Sequence, residues 1–264
     1  MKIAIVTGAS SGMGREFVLQ LTNYVQVDEI WAIARREDAL KSLKASVPVR
    51  PVVLDLLDNA SFEAYAKLLE AEKPNVKLLV NAAGFGKFGS FDKVSVEDDC
   101  RMIDLNCKAL VAMTRLTLPY MRSGSHILQL ASNSSWQPVP YITTYGATKA
   151  MVLSYSRAMN RELKSRGIRM MSMNPGWVKT EFFNQALQTN AGSEVQHYDR
   201  LYEADEVVAT GLRDLYKTKK DYSIHGFPVR MQVRLVKLMP HSFVMNTWLK
   251  QQKKAKNNQG LTTE

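Results

Sequence analysis

Tyr145 and Lys149 stand four residues apart at the start of an amphipathic stretch. Positions i and i+4 of a helix share one face, so this spacing brings a phenol and an ammonium together. A cation beside a phenol favours phenolate, and it would draw the tyrosine pKa down from about 10 toward a range useful for proton transfer. The same spacing recurs at Tyr216 and Lys220, so surroundings must separate the two copies. Thirteen residues before Tyr145 lies Ser132, at the end of a buried-type apolar run; thirteen before Tyr216 lies Glu203. Tyr216 is followed by Lys217, Thr218 and Lys219 and reads as a surface helix end.

A second cluster lies near the start. Thr7-Gly8-Ala9-Ser10-Ser11-Gly12-Met13-Gly14 follows the apolar run 3–7 and precedes a helical pattern. Glycines there let the backbone approach a pyrophosphate, and the helix start offers it free N–H groups and a positive dipole end. The spacing is G-x-x-x-G-x-G. In such folds an acid at the end of the second strand grips the adenosine ribose. Here that strand ends in Ile33-Ala34-Arg35-Arg36 instead. A guanidinium can pair bidentately with a 2′-phosphate, so the sequence favours NADP(H) over NAD(H), with Arg35 the first choice and Arg36 the second.

The elements that must position these groups can be read from periodicity. Strands are expected at 3–7, 29–34, 50–55, 77–81, 125–131 and 168–174, with a short one at 222–224. Helices are expected at 13–24, 37–45, 60–72, 96–121, 145–166 and 204–216. Alternation without hairpin signals implies a parallel sheet with helices on both faces. The expected fold is therefore α/β, a doubly wound, Rossmann-like parallel sheet in a single domain. Its catalytic body spans 1–226, with a basic, amphipathic extension at 227–264.

These residues, in this order, resemble the short-chain dehydrogenase/reductase family of the single-domain type. The likeness runs from residue 2 to about residue 180. It includes Gly8, Gly12 and Gly14; Asp55-Leu56; Asn81-Ala82-Ala83-Gly84; Asn106; Ser132; Tyr145 with Lys149; and Asn174-Pro175-Gly176 leading to Thr180. The resemblance implies that Tyr145 is general acid in ketone reduction and general base in alcohol oxidation. It implies that Ser132 hydrogen-bonds the reacting oxygen, that Lys149 tunes Tyr145 and binds the nicotinamide ribose, and that Asn106 holds a relay water. For the cofactor it implies the loop Gly8, Ser10, Ser11, Gly12, Met13 and Gly14, with Asp55 and Leu56 at the adenine. Asn81, Ala82 and Gly84 would lie along the adenosine ribose, and Pro175, Gly176, Val178 and Thr180 would place the nicotinamide. Two departures are mild: Ala82 stands where the family often has a second asparagine, and Ser134 is a fallback for Ser132. Relatives commonly pair through the long helices, so a homo-oligomer is expected.

Two loops should shape the substrate end. Trp136, Val139 and Tyr141 precede the tyrosine, and Phe182, Phe183 and Leu187 follow Thr180 in a segment reaching to about residue 202. They suit a small hydrophobic carbonyl or alcohol, such as a steroid, fatty or aromatic ketone. A cofactor-binding sensor or scaffold without turnover is the alternative, but it would have no need of an activated phenol.

The net charge of +10 is concentrated in the tail: residues 222–263 hold seven lysines and arginines and no acid. It is therefore not read as a nucleic-acid signature. Pro228 can open a helix on which Arg230, Arg234 and Lys237 share an arc, while Val229, Val233, Leu235, Val236, Leu238 and Met239 fill most of the rest. Residues 229–235 also alternate apolar and polar, which keeps a local strand open. Pro240 breaks the run, and a second helix would align Val244, Met245, Trp248 and Leu249. Such a tail can fold over the pocket, pack on another subunit, or make peripheral contact with an anionic membrane. Cys100 and Cys107 are too few and too close for a disulfide scaffold and lack a partner set for zinc, so no metal is expected. With no signal-peptide pattern before the first strand and no long apolar run, a reducing, cytoplasmic setting is expected.

Overall fold

Strands that are apolar on both sides need a helix layer on each face, and the chain supplies two. The computed structural model describes residues 1–189, 194–198 and 200–260. Its strands are β1 (Lys2–Thr7), β2 (Glu29–Ala34), β3 (Val49–Val53), β4 (Asn75–Asn81), β5 (Met121–Leu130), β6 (Arg169–Met173), β7 (Trp177–Val178), β8 (Leu201–Tyr202) and β9 (Tyr222–Ser223). Seven of them form one parallel sheet in the order β3-β2-β1-β4-β5-β6-β9, while β7 and β8 pair with each other.

The helices are α1 (Gly12–Gln20), α2 (Glu37–Lys41), α3 (Asn59–Glu72), α4 (Val96–Ile103), α5 (Leu110–Thr117), α6 (Thr143–Glu162), α7 (Glu181–Ala186), α8 (Ala204–Lys217), α9 (Phe227–Val236) and α10 (His241–Gly260). Successive strand residues face opposite ways, and β1 divides accordingly. Ala4 and Val6 pack with Phe17, Val18, Val207, Leu212 and Val233, so α1, α8 and α9 cover one face. Ile3 and Ile5 pack with Tyr65, Leu69, Met113 and Met159, so α3, α5 and α6 cover the other. Each large apolar side chain sealed this way contributes about 1.5–3 kcal/mol. Between β1 and β4 the strand order reverses, and such a reversal opens a crevice at the carboxyl ends of the strands.

The long helix expected at 96–121 is interrupted. After α4 a π-helical turn runs over Asp104–Ala109, then come α5 and a 3₁₀ turn at Leu118–Tyr120. Pro119, early in that last turn, lacks the N–H needed to extend the helix, and the chain passes straight into β5. The helix expected at 37–45 ends at Lys41. In the tail the helical reading holds over the strand one: Pro228 lies in the first turn of α9, and Pro240 separates α9 from α10. Residues 261–264 of the expected extension lie outside the described residues, as do 190–193 and 199 of the loop after Thr180. Among the described residues no helix is long and apolar enough to cross a membrane.

Candidate active site

The glycine loop joins β1 to α1 at the reversal point. Gly8 is left-handed, with φ +69°, and a Cβ there would stand 2.8 Å from the Ala83 nitrogen. At Gly14 a Cβ would lie inside van der Waals contact of the Gly8 carbonyl oxygen and 2.6 Å from its carbon. Loop, helix start and the end of β4 are thus packed backbone to backbone. The Thr7 hydroxyl reinforces this by accepting from the Ala82 and Ala83 amides, each at 3.1 Å. The Ser11 side chain caps none of the first-turn amides of α1, and that turn contains no acid. A cradle of this kind, with bare helix N–H groups, fits a pyrophosphate.

The two arginines take different positions. Arg36 donates from Nε to the Ser10 hydroxyl at 3.3 Å and from Nη2 to the Ser10 carbonyl at 3.2 Å. It also pairs with Glu181 at 3.0 Å. Arg35 faces Asp55 at 4.0 Å. Asp55 in turn accepts from the Leu57 amide, while Asp58 caps α3 by accepting from the Ala60 amide.

A cleft of about 560 Å³ runs from this loop to the other predicted groups. Along it lie Gly8, Ser10, Ser11, Gly12, Met13 and Gly14, then Arg35, Arg36, Asp55 and Leu56, then Ala82 and Gly84. Ser132, Ser134, Tyr145, Lys149, Pro175, Gly176, Val178 and Thr180 line it too, and Thr180 stands beside the loop, 3.2 Å from where a Cβ on Gly12 would be. Asn81 stands behind the wall, buried, with Nδ2 donating to Thr114 Oγ1 at 3.0 Å and Gln129 Oε1 at 2.9 Å.

Tyr145 sits in the first turn of α6, with the Ser132 hydroxyl close enough to act on its phenol. Ser132 is held by a capping box: it accepts from the Ser134 amide at 3.2 Å, and its own amide donates to Ser135 Oγ at 3.3 Å. Lys149 donates from Nζ to the Leu130 carbonyl at 2.7 Å and lies 5.6 Å from the Tyr145 ring centroid. Burial lowers the Lys149 pKa to about 8. The expectation of an acidified phenol needs correction. Burial pushes Tyr145 up to about 12, against the lowering pull of the Ser132 hydroxyl. Spacing along a helix predicts that the two groups meet, but not that both are cut off from water.

Asn106 is carried by the π turn. Its Oδ1 accepts from the Phe85 amide at 3.0 Å, and its Nδ2 donates to the Phe85 carbonyl at 2.9 Å and Thr148 Oγ1 at 3.1 Å. It therefore pins the strand-end loop beside Lys149. A Cβ on Gly84 would stand 2.8 Å from Asn106 Oδ1 and 3.5 Å from Lys149 Nζ, so the three are in close register. π turns recur where a helix must re-aim a side chain at a functional site.

Of the six residues expected at the substrate end, Trp136, Val139, Phe182 and Phe183 line the cleft, whereas Tyr141 and Leu187 do not and pack in the apolar cluster around Phe88. Sequence reasoning missed Phe88, which meets the Tyr145 ring edge-on at 5.4 Å, and Trp177. It left the tail undecided, and the tail folds back. Gln232, Val233 and Val236 of α9 and Trp248 and Gln251 of α10 all line the cleft. Trp248 donates from Nε1 to the Pro140 carbonyl at 3.0 Å. Gln252 is only 3% exposed, and its Oε1 accepts from the Gln196 and His197 amides at 2.8 and 2.9 Å. Replacing Gln252 with Ala removes that shared acceptor. Each hydrogen bond lost this way is worth about 0.5–1.5 kcal/mol. Faster hydrogen exchange at amides 196 and 197, with a lower melting temperature, is the expected result.

Comparison with known proteins agrees with this architecture. The family model described as short chain dehydrogenase matches residues 2–191. The NADP-dependent 3-hydroxy acid dehydrogenase of Escherichia coli (strain K12) is 31% identical over 244 residues, covering 90% of this chain and 94% of its own. The structure of a short-chain dehydrogenase from Sphingobium yanoikuyae in complex with NADPH is 25% identical, with a TM-score of 0.76 over 89% of this chain and 92% of its own. The closed form of a serine dehydrogenase complexed with NADP+ is 32% identical, with a TM-score of 0.65 over 78% of this chain and 86% of its own.

Proposed function

Because the chain belongs to the short-chain dehydrogenase/reductase family of oxidoreductases, we propose that it moves a hydride between NADP(H) and a hydrophobic secondary alcohol/ketone pair, in the cytoplasm. The observation that carries the reading is one cleft that joins the glycine cradle to Tyr145 and Ser132, with the Tyr145 ring packed against Phe88 and Phe182. NADP(H), when bound, supplies or accepts the hydride. The loop 8–14 and the first turn of α1 would hold its pyrophosphate, and Arg36, with Ser10, its 2′-phosphate. The structural complexes with NADPH and NADP+ support that choice.

The chain's own residues do the rest. The Tyr145 phenol gives its proton to the carbonyl oxygen in reduction and takes it back in oxidation. The Ser132 hydroxyl donates to the same oxygen and polarises the bond as charge develops there. Lys149 holds a positive charge beside the phenol, and aromatic walls keep water off the reacting carbon. Lys87 and Arg101 also line the cleft, which supports a second reading in which the ketone carries a carboxylate, as in the 3-hydroxy acid relative.

The test is NADPH oxidation against steroid, fatty and aromatic ketones together with 3-oxo acids, beside a Tyr145→Phe control. Consumption equal to that of the control with every ketone would refute the assignment. Cofactor choice has its own test. Arg36→Asp should weaken NADPH by about tenfold or more while sparing NADH, since one charge-assisted pair is worth about 1.5–3 kcal/mol. Arg35→Asp is made in parallel. An unchanged NADPH/NADH ratio of kcat/KM in both variants removes the proposed preference.

A further inference from the structure

α9 carries apolar side chains on two opposite sides. Val229, Val233 and Val236, at i, i+4 and i+7, are buried against the body and the cleft. Phe227, Met231 and Leu235, at i, i+4 and i+8, form a second stripe on the outer side, and Leu238 follows in the turn after the helix. Phe227 is 66% exposed, Leu235 49% and Leu238 85%, and Phe243 at the start of α10 is 58% exposed. A helix that served only the core would turn polar residues outward.

Charge narrows what can cover this ridge. Arg234 is exposed beside the stripe and Arg230 is half-buried, and residues 222–263 contain seven lysines and arginines with no acid. Lys237, also exposed, lies over the Trp136 ring, its Nζ 3.8 Å from the centroid. The occupant must therefore be both apolar and negatively charged. A second copy seated ridge to ridge would bring cations against cations, because a two-fold contact presents the same patch on both sides. An anionic lipid interface satisfies both demands: apolar side chains enter the headgroup–acyl boundary while arginines meet the phosphates.

We propose that the outer side of α9, with the turn that follows it, docks onto anionic bilayer surfaces, with Phe227, Leu235 and Leu238 seated in the interface. The inner face of the same helix lines the cleft, so docking sets the cleft one helix diameter from the lipid. The proposal does not depend on which ketone is reduced.

The experiment is co-sedimentation of the full chain with phosphatidylglycerol vesicles and, separately, phosphatidylcholine vesicles, read beside the melting temperature. The wild-type chain should sediment with the anionic vesicles, be released by salt, and leave the neutral ones unbound. Leu235→Ser with Leu238→Ser should weaken binding by about tenfold or more, and Arg234→Glu by about fivefold or more. Phe91→Ser, at an exposed phenylalanine outside the tail, should change nothing. If the double variant melts early, Arg234→Glu and Leu238→Ser alone decide. Absence of binding to anionic vesicles, equal binding to both compositions, or undiminished binding in correctly folded variants overturns the proposal. So does a loss of molar mass in the double variant by light scattering without vesicle binding, which would make the ridge a contact between copies.

Discussion

Tyr145→Phe should lower kcat by about 10²–10⁴-fold, the usual worth of a positioned acid–base group, while NADPH still binds. The substitution keeps the ring that packs against Phe88 and Phe182 at 5.4 and 5.5 Å and deletes only the phenolic oxygen. The pH dependence follows from the burial of both partners. With Tyr145 pushed up to about 12, the phenol holds its proton across the neutral range and is ready to donate. Lys149, lowered to about 8, is an ammonium below that pH and an amine above it. Ketone reduction should therefore be flat through neutrality and decline as pH rises past about 8, where the supporting charge is lost. Alcohol oxidation needs the phenol to give its proton up, so it should rise with pH. Profiles measured in both directions test this, and a phenylalanine variant keeping more than a tenth of wild-type kcat would remove Tyr145 from the role.

Gly14→Ala is expected to have the second-largest effect. The new methyl would meet the Gly8–Ala9 peptide, 2.6 Å from the Gly8 carbon and 3.2 Å from the Ala9 nitrogen, and that backbone cannot swing aside as a flexible side chain would. Overpacking of this kind costs about 1–3 kcal/mol. Expressed as affinity, that is roughly a 5- to 150-fold weaker hold on NADPH, measurable by fluorescence titration and accompanied by a lower melting temperature. Gly146→Ala is the contrast: its nearest neighbours are 4.0 Å away, so affinity should not move. Equal behaviour of the two variants would mean that the loop is not the cradle its packing indicates.

The legible parts of the chain were those written as pattern. Solid apolar strands between helical stretches specify a doubly wound sheet, and the loop at 8–14 and the pair Tyr145–Lys149 lie along one cleft. Other features have no signature in local composition. A π turn leaves apolar periodicity almost unchanged, so the break at 104–109 was invisible, although Pro119 did signal the end of the helix. Adjacent arginines cannot show which one curls back to Ser10; in the fold it is Arg36. Gln252 lies between glutamine and lysine neighbours and reads as a solvated position, yet it is buried by a loop more than 50 residues earlier in the chain. Desolvation of Tyr145 is a property of everything packed around it, and charge spacing alone gave the wrong sign.

Three of the four tryptophans, Trp136, Trp177 and Trp248, line the cleft. Indole emission overlaps the absorption of a reduced nicotinamide, so light absorbed by these rings would pass to NADPH held among them. Occupancy of the native protein is then readable by resonance energy transfer, with no dye attached. Substituting Trp248 would report separately on whether the folded-back tail stays in place while the cofactor comes and goes.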